Sequence, residues 1–181
     1  MVKKTLVTVA LVIALLSAYV ALQPSHFEIS REMQMSASAE QIFPYINSSE
    51  KANDWMPWKD SDPSVKMVYS GPAEGVGSTS SWEGEGQMGT GKAEVVESIP
   101  NRSVKTQLTY TRPMEMSQLA EISLTPAATG TTVRWSVTGE NSFIGRFICL
   151  FMNMDKMVGG EFEKGLTKLK GIVEAEAARS A

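Results

Sequence analysis

The apolar residues of the chain change their spacing once, and this change limits the possible folds more than any other feature. From residue 65 to residue 140, short segments of alternating apolar and polar residues are separated by turn signals. Their spacing is near the 8–12 residues typical of antiparallel strands. Beyond residue 157 the apolar residues recur at helical spacing instead. We therefore predict about six antiparallel strands followed by one long helix.

Three predicted strands and the last helix each have one apolar face. The apolar positions are Val104, Leu108 and Tyr110; Ala120, Ile122 and Leu124; Val133, Trp135 and Val137; and, in the helix, Phe162, Leu166, Leu169 and Val173. A sheet with one wet side buries its other side against a second layer. Because strands twist, the sheet curls and a helix laid across it closes it incompletely, so we expect a cavity between helix and sheet.

The segment before this sheet predicts one more strand and a helix. Apolar residues alternate from Phe27 to Met35, with Arg31 as the exception. Ser38 and Gln41 then form a helix start signal, and residues 47–49 end the helix before the sequence WMPW at residues 55–58. The predicted order is strand, two short helices, about six strands and a long helix.

The N-terminus carries an uncharged run from residue 5 to residue 25, which is 21 residues. As a helix it is about 31 Å long, enough to cross the hydrocarbon core of a bilayer. A cleaved signal peptide is the alternative, but the run exceeds the usual apolar region and lacks an A-x-A site. We predict a transmembrane signal-anchor at residues 1–25 and one domain at 26–181. Lys3 and Lys4 predict a cytoplasmic N-terminus and an extracytoplasmic, periplasmic domain.

Five segments carry a resemblance to a known family. They are SASAEQIF at 36–43, WMPW at 55–58, WEG at 82–84 with GTG at 89–91, IPNR at 99–102 and FEKGLTKLK at 162–170. In these the chain resembles the SRPBCC superfamily, the START-like or helix-grip group that includes polyketide cyclase/dehydrase and lipid-transfer proteins. It is most similar to small bacterial members with one N-terminal membrane helix. The resemblance covers about four-fifths of the chain.

The resemblance implies an α+β helix-grip fold. In this fold a curved antiparallel sheet of six to seven strands wraps around the long C-terminal helix, here preceded by one transmembrane helix. It also implies that WMPW belongs to a helical pair bordering the cavity. Trp55 and Trp58 then either pack this pair or form an aromatic wall for a ligand.

Several side chains are candidates for contact with a ligand. Gln118 lies in phase with an apolar strand face, where it needs a hydrogen-bonding partner. Trp82, Tyr110 and Trp135 combine an aromatic body with a donor. Phe143, Phe147 and Met152 precede the last helix and form either a flap over the cavity or a helix packed on the sheet. The candidate ligand-binding residues are Trp55, Trp58, Trp82, Tyr110, Gln118, Trp135, Phe143, Phe147 and Met152.

The residue types that form catalytic and metal sites give weaker signals for such sites in this chain. The only histidine, His26, follows the apolar run, which argues against histidine-based triads and zinc sites. Cys149 stands among apolar residues and is expected to be buried. Glu83 and Glu85 share one side of a predicted strand, as a carboxylate pair or a solvated face. The eleven methionines include three M-x-M pairs that suit a flexible apolar cavity, core packing or, less well, copper.

The function we predict is non-covalent binding of a hydrophobic small molecule or lipid by a membrane-anchored domain. One alternative is an enzyme similar to polyketide aromatase/cyclases, with Tyr110, Glu94 or Arg134 moving protons. Another is an interaction module that holds no ligand. The sequence implies no cofactor and no metal, and the net charge of −3 argues against nucleic acid as a partner.

Overall fold

A computed structural model describes residues 2–58, 65–86 and 88–180. The helices are α1 (Val2–Ala21), α2 (Ala39–Asn47), α3 (Ser49–Ala52), α4 (Phe143–Cys149) and α5 (Met154–Ser180). The strands are β1 (His26–Met35), β2 (Lys66–Ser70), β3 (Thr79–Glu83), β4 (Thr90–Ile99), β5 (Ser103–Arg112), β6 (Met116–Ala127) and β7 (Gly130–Glu140). The predicted helix-grip fold is confirmed.

All seven strands belong to one antiparallel sheet in the order β1-β7-β6-β5-β4-β3-β2. The strands β2 to β7 follow one another as a meander, whereas β1 lies beside β7 at the far edge. His26 pairs with Glu140 at the end of the sheet that adjoins α1. We call this end the α1 end.

The long helix α5 lies against the core face of the sheet, along β1 and over β7. Its stripe residues Phe162, Leu166, Leu169 and Val173 are all buried, as their spacing predicts. Near the start of the helix, Asp155 and Glu163 bind Arg31 of β1 at 3.0 and 2.8 Å. The guanidinium of Arg31, the residue that interrupts the apolar pattern of β1, lies against Gly159, where an added Cβ would overlap Nη2.

The other end of the core is closed by α2 and α3. Ser38 and Gln41 form a capping box that starts α2, as their spacing predicts. The helix α2 contacts β6 and α5, and α3 contacts β3 and β4. Below them, Val95, Val104 and Leu124 are buried on the core face.

At the α1 end, the N-terminal helix is joined to α4. One helix of the described chain, α1, is long and apolar enough to cross a membrane, a property that signal sequences share. Its buried residue is Val20, near the contact with α4. The prediction that Cys149 is buried is wrong: it is exposed at the end of α4, none of whose residues is buried. The segment is apolar, but it lies beside α1 and outside the core.

Candidate ligand-binding site

The nine candidate residues fall into three separate groups in the structure. Trp55, Trp58 and Trp135 meet between α5 and the middle of the sheet. Trp82, Tyr110 and Gln118 lie on the core face near the α1 end of neighbouring strands. Phe143, Phe147 and Met152 lie outside the sheet, in and after α4.

The first group fills the middle of the core. Trp135 stacks on Phe162 of α5 with ring centroids 4.1 Å apart and an angle of 11°. Trp55 and Trp58 each meet Trp135 edge to face, with ring centroids 5.2 and 6.4 Å from that of Trp135. The indole nitrogen of Trp55 donates to the Tyr45 carbonyl at 2.9 Å, so this fully buried side chain is satisfied. These rings pack α5 onto the sheet.

Gly165 shows how closely these rings approach the helix. A Cβ added there would lie 2.8 Å from Cζ3 of Trp135 and 3.2 Å from Cδ of Pro57. Such distances are shorter than van der Waals contact, so the helix backbone touches the rings directly. The glycine therefore serves close packing and does not leave a space at this height.

The second group forms a row across the sheet. Trp82 lies opposite Gly91, Gly91 lies opposite Tyr110, and Tyr110 lies opposite Met116. The rings of Trp82 and Tyr110 meet edge to face at 5.4 Å. The Trp82 ring occupies the space above Gly91, where an added Cβ would overlap it, and the indole nitrogen donates to the Met88 carbonyl at 3.1 Å.

Burial changes along the core face at this row. Tyr110 and Leu108 are half-buried, and Met116 is exposed, whereas Val104, Ile122 and Leu124 of the same two strands, further from the α1 end, are buried. Met67 of β2 extends the row, since it lies opposite Trp82. The sequence does not predict Met67 as a site residue, because a five-residue edge strand gives a weak alternation signal. The row ends in apolar groups that solvent can reach.

Two polar side chains adjoin this row. Gln118 lies opposite Leu108 and next to Gly139, and its amide donates to Sδ of Met116 at 3.2 Å, a weak acceptor. The Tyr110 hydroxyl makes no hydrogen bond with any described residue. Burial raises the pKa of Tyr110, so its hydroxyl stays protonated at neutral pH and can donate. Both groups can serve a polar ligand atom.

The third group lies on the surface. Phe143, Phe147 and Met152 are exposed, and Phe147 meets Phe151 edge to face at 5.3 Å. The helix α4 that carries Phe143 and Phe147 contacts α1.

The residues proposed for proton transfer are not brought together. Tyr110 lies on the core face, while Glu94 and Arg134 lie on the opposite face, in ion pairs with Lys92 and with Glu28 and Glu32. The prediction that Glu83 and Glu85 share a strand side is also wrong. β3 ends at Glu83, which binds Arg112 at 3.2 Å, and Glu85 lies in the bend that follows.

Metal ligands do not cluster among the described residues: no group of three or more His, Cys, Asp or Glu side chains there could hold an ion. Met33 and Met35 pack in the core. Two surface cavities of about 380 and 450 Å³ lie outside the space between helix and sheet. They are lined by residues around Tyr45 and by residues 149–154.

Comparisons with known proteins support the fold. A family model described as polyketide cyclase/dehydrase and lipid transport matches residues 26–174. A comparison with curated protein sequences finds no match.

Three solved structures illustrate the structural similarity. Protein MLL2253 from Mesorhizobium loti is 16% identical with a TM-score of 0.60, over 82% of this chain and 98% of that one. The Aha1 dimer from Colwellia psychrerythraea is 21% identical with a TM-score of 0.57, over 82% and 96%. The di-domain ARO/CYC StfQ from the steffimycin biosynthetic pathway is 10% identical with a TM-score of 0.61, over 85% and 52%. At these identities the similarity establishes the fold alone.

Proposed function

Because the chain belongs to the polyketide cyclase/dehydrase and lipid transport family, we propose that it binds a hydrophobic small molecule or lipid without covalent chemistry. The ligand lies on the core face at the α1 end, against Trp82, Leu108, Tyr110, Gln118 and Met116. We call these residues the end site. An isoprenoid-like compound taken from the bilayer surface has the required chemistry.

The observation that carries the proposal is the change in burial along the core face. Towards the far end Val104 and Leu124 are buried, while at the α1 end Tyr110 and Leu108 are only half-buried and Met116 is exposed. Apolar surface left accessible on a concave face gains free energy when a ligand covers it, about 25 cal/mol per Å². A ligand pocket combines such a surface with a few polar groups, as the end site does.

The depth of the site follows from the aromatic cluster. Trp135, Trp55 and Phe162 occupy the middle of the core, so a ligand entering from the α1 end stops at these rings. The Tyr110 hydroxyl and the Gln118 amide orient its polar part.

We also propose that α1 stays attached and anchors the domain. Its length and composition suit a membrane span. Lys3 and Lys4 place its start in the cytoplasm by the positive-inside rule, which puts the domain outside. Tethering raises the effective concentration of the end site near membrane ligands.

Photolabelling tests the binding proposal. The full chain in lipid nanodiscs is exposed to a diazirine-bearing fatty acid, irradiated and digested, and the labelled peptides are identified. We expect label on β5 and β6 in addition to α1, and competition by unlabelled fatty acid. Label confined to α1 would exclude the end site as the binding position for this lipid class.

Matched variants of one strand sharpen the test. Tyr110→Phe removes a hydroxyl and keeps the ring, so we expect β5 labelling at limiting probe to fall about 2- to 10-fold, the loss of one hydrogen bond. Thr109→Val on the opposite, exposed face of β5 is the control and should label as the parent does. Equal labelling of the two variants would remove Tyr110 from the site.

A further inference from the structure

The surface formed by α4 and the residues after it is apolar and exposed. It comprises Phe143, Ile144, Phe147, Phe151 and Met152, and we call it the α4 patch. Ile144 is 59% exposed and Phe151 is 74% exposed. A seven-residue helix without a buried residue gains no stability from a core, so its apolar character calls for another reason.

The position of the α4 patch relative to α1 is set by hydrogen bonds. Arg146 of α4 donates through Nη1 to the carbonyl oxygens of Ala21 and Gln23, at 2.9 and 3.2 Å. The Asn141 backbone nitrogen donates to the Ser25 carbonyl at 2.7 Å. A guanidinium on the last carbonyls of a helix is favourable because it satisfies acceptors that lack intrahelical donors. The patch therefore adjoins the end of α1.

We propose that the α4 patch inserts into the interfacial layer of a lipid bilayer and holds the end site towards the membrane. This inference rests on the proposed anchoring by α1. A helix of about 30 Å that crosses the hydrocarbon core ends at the headgroups, which places α4 at the same depth.

The continuity of apolar surface identifies the occupant as lipid. Exposed apolar side chains run from α1 through Leu22, which is 84% exposed, to the α4 patch. Phenylalanine and isoleucine on a short surface helix suit burial of about 5–10 Å into the headgroup boundary.

The orientation that follows concerns the end site. The row from Met67 to Met116 and the start of β1 lie at the same end of the sheet as α4. With the α4 patch in the bilayer, this end faces the lipid, and a ligand transfers between membrane and site with a short path through water.

The single cysteine of the chain allows a direct test. Cys149 is exposed on α4, so the environment-sensitive fluorophore NBD can be attached to it in the full chain. The labelled chain is reconstituted in phosphatidylcholine vesicles with or without lipids that carry a nitroxide near the headgroup. We expect the nitroxide to remove about half of the emission, since the label lies within the interfacial layer.

The control places the same fluorophore at the other end of the domain. A Cys149→Ser, Ala178→Cys chain carries the label near the end of α5, at an exposed position, and its emission should not change. In a second variant, Phe147→Ser with Phe151→Ser, we expect the Cys149 label to lose most of its quenching while the chain stays in the vesicles.

Extraction with alkaline carbonate separates the two proposals. A chain that resists extraction and shows no quenching at Cys149 would overturn insertion of the patch and leave the anchor intact. A chain released by carbonate would overturn anchoring and insertion together. Dimers joined through Cys149 on oxidation, without quenching, would overturn lipid as the occupant in favour of a second copy.

Discussion

Gly165 offers a direct test of whether the space between α5 and the sheet is filled at the height of Trp135. In Gly165→Ala, the new methyl group would lie 2.8 Å from Trp135 and 3.2 Å from Pro57, both rigid rings. Overpacking of this kind costs about 1–3 kcal/mol. Alanine gains about 1 kcal/mol over glycine inside a helix, so the net change lies between neutral and about 2 kcal/mol of destabilisation.

Gly171 supplies the matched control in the same helix. Its Cβ would meet no atom within 4 Å, so Gly171→Ala has only the helix gain of about 1 kcal/mol. The two variants should therefore differ by about 1–3 kcal/mol in the free energy of unfolding. With an m-value of about 2 kcal/mol/M in urea, the midpoints differ by about 0.5–1.5 M.

The assay is urea unfolding of the full chain in a mild detergent, monitored by tryptophan emission. The comparison requires that the two variants unfold with the same m-value. Equal stabilisation by both variants would refute the reasoning. It would mean that the aromatic cluster leaves a methyl-sized space beside α5, and the inner limit that we propose for the ligand would then be lost.

Three further changes have expected outcomes. The hydrogen bond from Arg31 lowers the pKa of Asp155 in the folded chain below its unfolded value of 3.8. The contribution of this ion pair to folding stability is therefore fully present above pH 3.8 and is lost as the pH falls through the lower pKa of the folded chain. Asp155→Asn should therefore lose less stability than the parent between about pH 7 and pH 3, measured by urea midpoints. Thr131→Val should cost about 1–3 kcal/mol in the same assay, because the buried hydroxyl donates to the Ala37 carbonyl at 2.8 Å. Ser38→Ala should cost about 1 kcal/mol through loss of the capping box, and no change in midpoint would show that α2 does not need it.

The fold could be predicted because its signals are local. Alternation along each strand, the helical stripe and the Ser38 capping signal each depend on residues close in sequence. The resemblance to the family supplied the arrangement of these elements, which periodicity alone does not specify.

The aromatic cluster was less predictable, because its contacts join distant residues. Trp135 meets Trp55, far earlier in the chain, and Phe162, far later. Residue type indicated that these rings are buried or bind a ligand, but only their packing shows that they fill the middle of the core.

The error at Cys149 has a different physical cause. An apolar run predicts that its residues avoid water, and it does not distinguish a protein core from contact with another apolar phase. Phe147 and Phe151, each two residues from Cys149, are exposed, and the helix α4 lies beside α1.

The pairing of β1 with β7 has a consequence for synthesis of the chain. β1 ends at Met35, and its partner begins at Gly130, so the partner strand leaves the ribosome about 5–20 s later at roughly 5–20 residues per second. During this delay β1 follows directly behind α1 with its backbone donors and acceptors unpaired. The sheet closes only when the second half of the domain arrives, so a chain truncated before β7 would expose an aggregation-prone strand beside its N-terminal apolar helix.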